Sequence, residues 1–218
     1  MSLTTQPLAG VLDQLLDDAD ASKEAFRRQM SMLSPEELAA WRAGADDYRQ
    51  LYAAARDVHL AISRPTAHLL YMLARARGAQ TIVEFGTSLG VSTLVLAAAV
   101  KDNHGTQLIG TEFVHEKVVR VRATVAAAGL DDIVEIRDGD ALETLAKGLP
   151  QSIDFVFLDG AKNLYATVLS MLESRLASGS LIVADNADGS PDYLERVRTS
   201  GAYMSMRLHG DVEVTLKL

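Results

Sequence analysis

Acidic side chains stand at or just after the ends of four apolar runs in this sequence. They are Glu112, Asp140, Asp159 and Asp185. In an open parallel α/β sheet, ligands bind beyond the carboxyl ends of the strands. One such acid could simply cap the next helix, but four of them in register predict a ligand site built from carboxylates.

A glycine-containing turn precedes these acids. Thr81–Phe85 is typical of a short strand, and it leads through Gly86 and Gly90 into an apolar helix. The start of a helix offers free N–H groups and the positive end of the helix dipole, and glycine lets a ligand approach the backbone closely. The dinucleotide fingerprint needs Gly-x-Gly-x-x-Gly, whereas this turn has Gly-x-x-x-Gly with Glu84 two residues before it. The two glycines alone are therefore weak evidence of function.

Strand and helix patterns alternate from this turn onward. We predict strands at 81–85, 107–112, 134–138, 153–158 and 180–185, and helices at 92–100, 115–128, 141–147, 164–176 and 192–199. This alternation predicts an α/β fold of the Rossmann-like, doubly wound type, with a mainly parallel sheet and helices on both faces. Residues 203–208 and 213–218 are predicted to form an antiparallel hairpin that closes one edge.

The first 60 residues have helical rather than strand periodicity. Leu8, Val11 and Leu12 begin one apolar stripe, and Ser34-Pro35 is a start signal for a second helix that would extend past Tyr48. A further helix is expected from Thr66 to Arg77. We interpret residues 1–60 as a helical extension that packs on its own core or on a partner subunit, or that covers a substrate pocket, and residues 61–218 as the main domain. A homodimer is expected, because the main fold is complete without the extension.

Composition narrows the classes of function. The net charge of −8 argues against a nucleic-acid-binding surface, which needs clustered Lys and Arg. The absence of cysteine excludes disulfides, thiolate nucleophiles and Cys-ligated zinc. The N-terminus does not resemble a signal peptide and no apolar run approaches a membrane span, so we expect a cytoplasmic protein with no membrane partner.

From about residue 60 the chain resembles class I S-adenosylmethionine-dependent methyltransferases, and more narrowly the metal-dependent catechol and caffeoyl-CoA O-methyltransferases. The turn Glu84-Phe-Gly-Thr-Ser-Leu-Gly-Val-Ser-Thr93 matches the family's Glu-x-Gly-x-x-x-Gly-x-Ser motif. The resemblance implies that S-adenosylmethionine binds here and that S-adenosylhomocysteine leaves as the product. It assigns the methionine part of the donor to the turn, the donor carboxylate to Ser92, the ribose to Glu112 and the adenine to Asp140 and Ala141. The full set of implied donor-binding residues is Glu84, Gly86, Thr87, Ser88, Gly90, Ser92, Glu112, Asp140, Ala141 and Asp159.

A second motif, Asp159-x-x-Lys162-x-x-Tyr165 together with Asp185-Asn186, is more specific. In the metal-dependent family the corresponding Asp and Asp-Asn pair bind Mg²⁺. Two carboxylates and an amide oxygen are hard ligands, which suit Mg²⁺, Mn²⁺ or Ca²⁺. The resemblance thus implies that Asp159, Asp185 and Asn186 hold a divalent cation. It also makes Lys162 the general base that takes the proton of an acceptor hydroxyl. Tyr165 is interpreted as a packing residue.

The implied acceptor is a small aromatic molecule with vicinal hydroxyls, since Pro191-Asp-Tyr-Leu194 resembles the tail of the catechol branch. Its identity does not follow from the sequence. Trp41 lies far upstream of the family's aromatic gatekeeper, and the loop after Asn186 is short. Three alternatives stay open: a metal-independent methyltransferase, a nicotinamide-dependent dehydrogenase and a non-catalytic donor sensor. The histidines lack metal-ligand spacing, and His59 either lines the pocket entrance or is an ordinary helix residue.

Overall fold

The computed structural model describes residues 3–32, 34, 48–49, 56 and 58–218. The second N-terminal helix that we predicted after Ser34 therefore lies largely outside the described residues. Within them, helix α1 spans Leu8–Ser31 and helix α2 spans Arg64–Arg77. Helix α2 begins at the N-cap Ser63, whose hydroxyl accepts from the N–H of Thr66, and it ends at Gly78 in the left-handed conformation.

Strands and helices then alternate as the sequence pattern predicts. Their bounds are β1 Thr81–Phe85, α3 Val91–Asp102, β2 Gln107–Glu112, α4 His115–Ala127, β3 Val134–Asp138, α5 Ala141–Thr144, β4 Ile153–Leu158, α6 Tyr165–Leu172, β5 Leu176–Ala184, α7 Pro191–Thr199, β6 Tyr203–His209 and β7 Val212–Lys217. Short 3-10 turns flank α6, at Lys162–Leu164 and Glu173–Arg175, and a third spans Ala187–Gly189.

In the described part of the chain, seven strands form one sheet in the order β3-β2-β1-β4-β5-β7-β6. Strands β1 to β5 are parallel, whereas β7 pairs antiparallel with both β5 and β6. The predicted Rossmann-like fold with an antiparallel C-terminal hairpin is confirmed. The strand order reverses between β1 and β4, which is where ligands bind in such sheets.

Two apolar layers enclose the sheet. One contains α3, whose residues Val91 to Val100 are all buried, together with inward-facing residues of α1, α2 and α4. Helix α1 adds Leu8, Leu12 and Leu16 to this layer, so it packs on the chain's own core. The other layer is formed by α5, α6 and α7. Together they fix the carboxyl ends of the strands as one rigid edge.

Two helices are shorter than the sequence pattern predicts. Helix α5 ends at Thr144 rather than Lys147, because the Arg137 guanidinium binds the carbonyl groups of Thr144, Lys147 and Gly148. Helix α6 gives way to a 3-10 turn after Leu172, and Leu176 already pairs with Ile153 in the sheet. Tertiary contacts override helical propensity at both positions.

Candidate active site

Two connected cavities lie at the carboxyl ends of the central strands. The larger is a cleft of about 630 Å³. The smaller is a slot of about 40 Å³. Gly86 and Glu112 line both of them. The two cavities therefore adjoin at Gly86 and Glu112.

The glycine turn forms one wall of the cleft. Gly86 has φ +93°, and a Cβ on it would lie 2.8 Å from the carbonyl oxygen of Asp159. Gly90 has φ +103° and packs against Val121 of α4, where a Cβ would lie 2.9 Å from a methyl group. Both positions require glycine. Of the predicted donor-binding residues in this turn, Gly86, Thr87, Ser88 and Ser92 line the cleft.

Glu112 is held at the junction by the backbone. Its Oε2 accepts from the N–H of Ser88 at 2.8 Å, and its Oε1 accepts from the N–H of Val114 at 2.9 Å. The side chain is buried. Burial raises the pKa of its carboxyl group, while the hydrogen bond from Val114 and the charge of Lys117 oppose the shift. A buried carboxylate with a fixed orientation suits a ligand that donates two neighbouring hydroxyl groups.

Glu84 lies behind the turn rather than on the cavity surface. It is fully buried and is not among the residues that line either cavity. Its Oε2 accepts from the Thr93 hydroxyl at 2.6 Å, and its Oε1 has no hydrogen-bond partner. Burial raises its pKa to about 7. A direct role in ligand binding stays a prediction.

Asp140 and Ala141 line the slot, as the adenine assignment requires. The Asp140 Oδ1 accepts from the N–H of Leu142 at 3.0 Å and so caps α5. Its Oδ2 accepts from the Tyr48 hydroxyl at 2.7 Å and from Arg49 at 2.8 Å. These contacts lower the pKa of Asp140 against the opposing effect of its burial. The carboxylate therefore links the slot to the N-terminal segment.

A charged cluster occupies the other end of the cleft. The Lys162 ammonium lies 2.9 Å from Oδ1 of Asp159. Burial, followed by the charge of Asp159, raises the pKa of Asp185 to about 6. Burial also raises the pKa of Asp159, although Lys162 acts in the opposite direction. Tyr165 is buried and donates to the carbonyl of Asp185 at 2.8 Å, which agrees with a packing role.

Asn186 completes the predicted cation site, and next to it lies a residue that sequence reasoning missed. Asn186 has φ +51°, and its Nδ2 donates to Oδ2 of Asp211 at 3.1 Å. The charge of Asp211 raises the pKa of both Asp159 and Asp185. The sequence predicts the hairpin but not its pairing with β5, which places Glu213 opposite Ala184 and brings the hairpin turn to the carboxyl end of β5. Among the described residues, no group of three or more His, Asp or Glu side chains is arranged to hold a metal.

His59 lines the cleft and lies outside any helix. Its backbone N–H donates to the Ser22 hydroxyl of α1 at 2.9 Å, and neither ring nitrogen has a hydrogen-bond partner. Burial, followed by the charges of Arg120 and Lys117, lowers its pKa to about 4. The imidazole is therefore neutral at physiological pH. Of the two interpretations left open by the sequence, the position at the pocket is the one observed.

Comparison with known proteins supports one family. Residues 83–187, just under half of the chain, match the family model described as a methyltransferase domain. Together with the relatives and solved structures below, this match supports a class I O-methyltransferase. The chain is 32% identical to the zebrafish (Danio rerio) catechol O-methyltransferase B over 145 residues, which are 62% of this chain and 54% of that protein. The match thus covers about half the length of this curated relative.

Solved structures agree with this assignment. An O-methyltransferase from Streptomyces achromogenes, in complex with SAM, has a TM-score of 0.65 at 25% identity, with 79% of this chain and 88% of that chain covered. An O-methyltransferase from Bacillus cereus, in complex with SAH, has a TM-score of 0.67 at 18% identity, with 95% and 100% covered. The second likeness shows the fold alone. No helix among the described residues is long and apolar enough to cross a membrane.

Proposed function

We propose that this chain transfers the methyl group of S-adenosylmethionine to one hydroxyl of a catechol-like small aromatic molecule, assisted by a divalent cation, Mg²⁺ foremost. The observation that carries the proposal is the position of the Lys162–Asp159 pair. It lies in the same cleft as the glycine turn and Glu112. A base and acidic groups at one end of a nucleoside-sized site are what methyl transfer to a hydroxyl requires.

The donor half of the site supports S-adenosylmethionine. Glu112 is oriented by two backbone N–H groups at the point where the cleft meets the slot. A ribose there would donate its hydroxyls to the carboxylate, with the base directed into the slot. The methionine part would then follow the glycine turn to Ser92 and the free N–H groups at the start of α3. This extended arrangement supports the predicted donor-binding residues that line the cavities, which are Gly86, Thr87, Ser88, Ser92, Glu112, Asp140, Ala141 and Asp159.

The acidic half supports a cation. Burial, followed by the charge of Asp159, disfavours ionisation of Asp185, and burial and the charge of Asp211 disfavour ionisation of Asp159. A divalent cation would offset these effects, and the two carboxylates with the Asn186 amide are the hard oxygen donors that Mg²⁺ prefers. The chemistry of these donors therefore suits the ion. When bound, Mg²⁺ would supply Lewis acidity toward an acceptor oxygen.

We assign Lys162 as the general base that takes the proton of the acceptor hydroxyl. Its Nζ lies 2.9 Å from Oδ1 of Asp159 at the acidic end of the cleft. The acceptor hydroxyl gives its proton to Nζ, its oxygen forms the bond to the methyl carbon, and the carbon–sulfur bond breaks to leave neutral S-adenosylhomocysteine. The cleft aligns oxygen, carbon and sulfur, which contributes much of the rate.

We also propose a division of the chain into a catalytic domain and an N-terminal extension. Residues 61–218 would form the catalytic domain, and residues 1–60 would form a helical extension that covers the site or contacts a second copy in a homodimer. Helix α1 packs on the core, which supports the view that this extension contributes to the stability of the folded chain. A single mass from light scattering would decide between monomer and dimer.

Titration calorimetry with S-adenosylmethionine, S-adenosylhomocysteine and NAD⁺ tests the donor assignment. We expect both sulfur ligands to bind and NAD⁺ to give no heat. Binding of NAD⁺ alone would instead favour the dehydrogenase. Tight donor binding with no methyl transfer to any of a panel of catechols, phenols and hydroxy acids would favour the donor sensor.

A further inference from the structure

The slot beside Glu112 has one wall that does not come from the methyltransferase domain. Among the described residues, its lining comes from positions 85–164 with the single exception of Tyr48. The lining also includes Phe113, which directly follows the ribose-assigned Glu112. Tyr48 thus brings an aromatic ring from the N-terminal segment to the inner end of the ligand site.

Tyr48 is anchored in this position by contacts far away in sequence. Its hydroxyl donates to Oδ2 of Asp140 at 2.7 Å, across 92 positions. Its ring lies edge-on to Phe113, with centroids 6.1 Å apart and an interplanar angle of 70°. Arg49 donates to the same Asp140 oxygen at 2.8 Å. Asp140 is itself fixed by its bond to the N–H of Leu142. These contacts therefore hold the Tyr48 ring at the slot.

The lining of the slot suits a flat ring. Twelve residues line it, and three of them are aromatic, namely Tyr48, Phe85 and Phe113. Aromatic side chains bind a purine by stacking, because the base presents a π-face at little desolvation cost.

We infer that Tyr48 is a donor-positioning residue, which forms the outer wall of the adenine slot and is held there by its hydrogen bond to Asp140. The inference rests on the proposed function and gives the N-terminal segment a role in binding the donor. It also explains why Asp140 is bonded to Tyr48 and Arg49: the carboxylate fastens the segment over the slot. The methyl group lies at the other end of the donor, so Tyr48 would affect affinity rather than the chemical step.

The test compares Tyr48→Ala and Tyr48→Phe with a matched control, Tyr71→Ala. Tyr71 donates to Oδ2 of Asp102 at the same 2.7 Å distance, but it lines neither cavity. Calorimetry with S-adenosylhomocysteine should show that Tyr48→Ala raises Kd by about ten- to a hundredfold. Tyr48→Phe keeps the ring and should bind within about threefold to fivefold of the wild type. Tyr71→Ala should bind like the wild type.

Turnover provides the readout that a purely structural role would not move. With catechol as the acceptor, Tyr48→Ala should raise the KM for S-adenosylmethionine and leave kcat at saturating donor within about twofold. If the alanine variant does not fold, Tyr48→Leu, which keeps an apolar side chain without the ring, should still raise Kd at least fivefold. The inference is wrong if a folded Tyr48→Ala or Tyr48→Leu variant binds S-adenosylhomocysteine with a Kd within threefold of the wild-type value. A wild-type chain that binds no S-adenosylhomocysteine would instead overturn the proposed function, and the inference with it.

Discussion

The two halves of the cleft are built in opposite ways. In the donor half, Glu112 is satisfied by two backbone N–H groups, and Gly86 fits so closely against Asp159 that no Cβ is tolerated. In the acidic half, Asp159, Asp185 and Asp211 repel one another, and only Lys162 counters them through a close ion pair among the described contacts. In the donor half, backbone groups orient the Glu112 carboxylate, whereas in the acidic half burial and neighbouring charges disfavour ionisation of Asp159 and Asp185.

The difference indicates how affinity and chemistry are divided. A preformed half binds its ligand with little reorganisation and contributes mainly to affinity. In the acidic half, a bound cation would offset the negative charges of the carboxylates. Removal of one carboxylate there should therefore change the rate of methyl transfer more than the affinity for the donor. The predictions below follow from this division.

The largest effect is expected for Asp185→Ala and Asp159→Ala. Each removes one carboxylate of the proposed cation site, so turnover that depends on Mg²⁺ should be abolished while the Kd for S-adenosylhomocysteine changes by less than about fivefold. Labelled methyl transfer and calorimetry measure the two quantities. Asp132→Ala is the matched control, because Asp132 pairs with Lys101 at 3.0 Å outside both cavities. If these variants instead lose donor binding but keep normal turnover per bound donor, the acidic half contributes to affinity and not to the chemical step.

Lys162→Met should lower kcat by about 10²- to 10⁴-fold, which is the usual contribution of a general base. The variant keeps the length of the side chain and removes the amine that accepts the proton. Lys101→Met removes an amine of similar partial exposure and should leave kcat unchanged. A near-normal kcat in the Lys162→Met variant would show that Lys162 is not the general base.

Glu112→Gln should weaken donor binding by roughly ten- to a hundredfold, since a charge-assisted hydrogen bond contributes about 1.5–3 kcal/mol. At saturating donor, kcat should stay within a few-fold of the wild type. Glu135→Gln is a suitable control, because Glu135 is exposed on β3 and accepts from Arg137 and Gln107 outside the site. Unchanged affinity in Glu112→Gln would refute the ribose assignment.

The smallest effect concerns stability and pH at Glu84. Its pKa is raised from 4.5 to about 7, so the folded state binds more protons than the unfolded state between these values. Stability should therefore fall as pH rises through this window, by roughly 2–3 kcal/mol from this residue. Glu84→Gln should flatten the fall in melting temperature between pH 5 and pH 8. An identical pH profile for variant and wild type would show that Glu84 is ionised throughout.

Much of the fold could be predicted from the sequence because its signals are local. The strands β1 to β4 occupy the predicted positions, since an apolar run bounded by glycine or an acid leaves little freedom. Helix ends were less predictable. Arg137 ends α5 from a neighbouring strand, and pairing with Ile153 converts Leu176 from predicted helix to strand. Neither contact has a signature within a short window of sequence.

The residues of the site also differ in how readily the sequence predicts their positions. Glu112 ends β2, Asp159 and Asp185 directly follow β4 and β5, and Lys162 lies three residues after Asp159. All four could therefore be placed by counting along the chain. Asp211 reaches the cluster only through the antiparallel pairing of β7 with β5. Tyr48 reaches the slot through a contact over 92 positions. Long-range pairing brings such residues into a site, and a single sequence carries no direct record of it.

The most direct test of the account is methyl transfer from labelled S-adenosylmethionine to catechol, measured in parallel with Mg²⁺ and with EDTA. We expect a monomethylated product with Mg²⁺ and none with EDTA, while calorimetry shows S-adenosylhomocysteine bound in both conditions. Equal product formation in both conditions would contradict the cation site of Asp159, Asp185 and Asn186, and would leave the fold and the donor half in place.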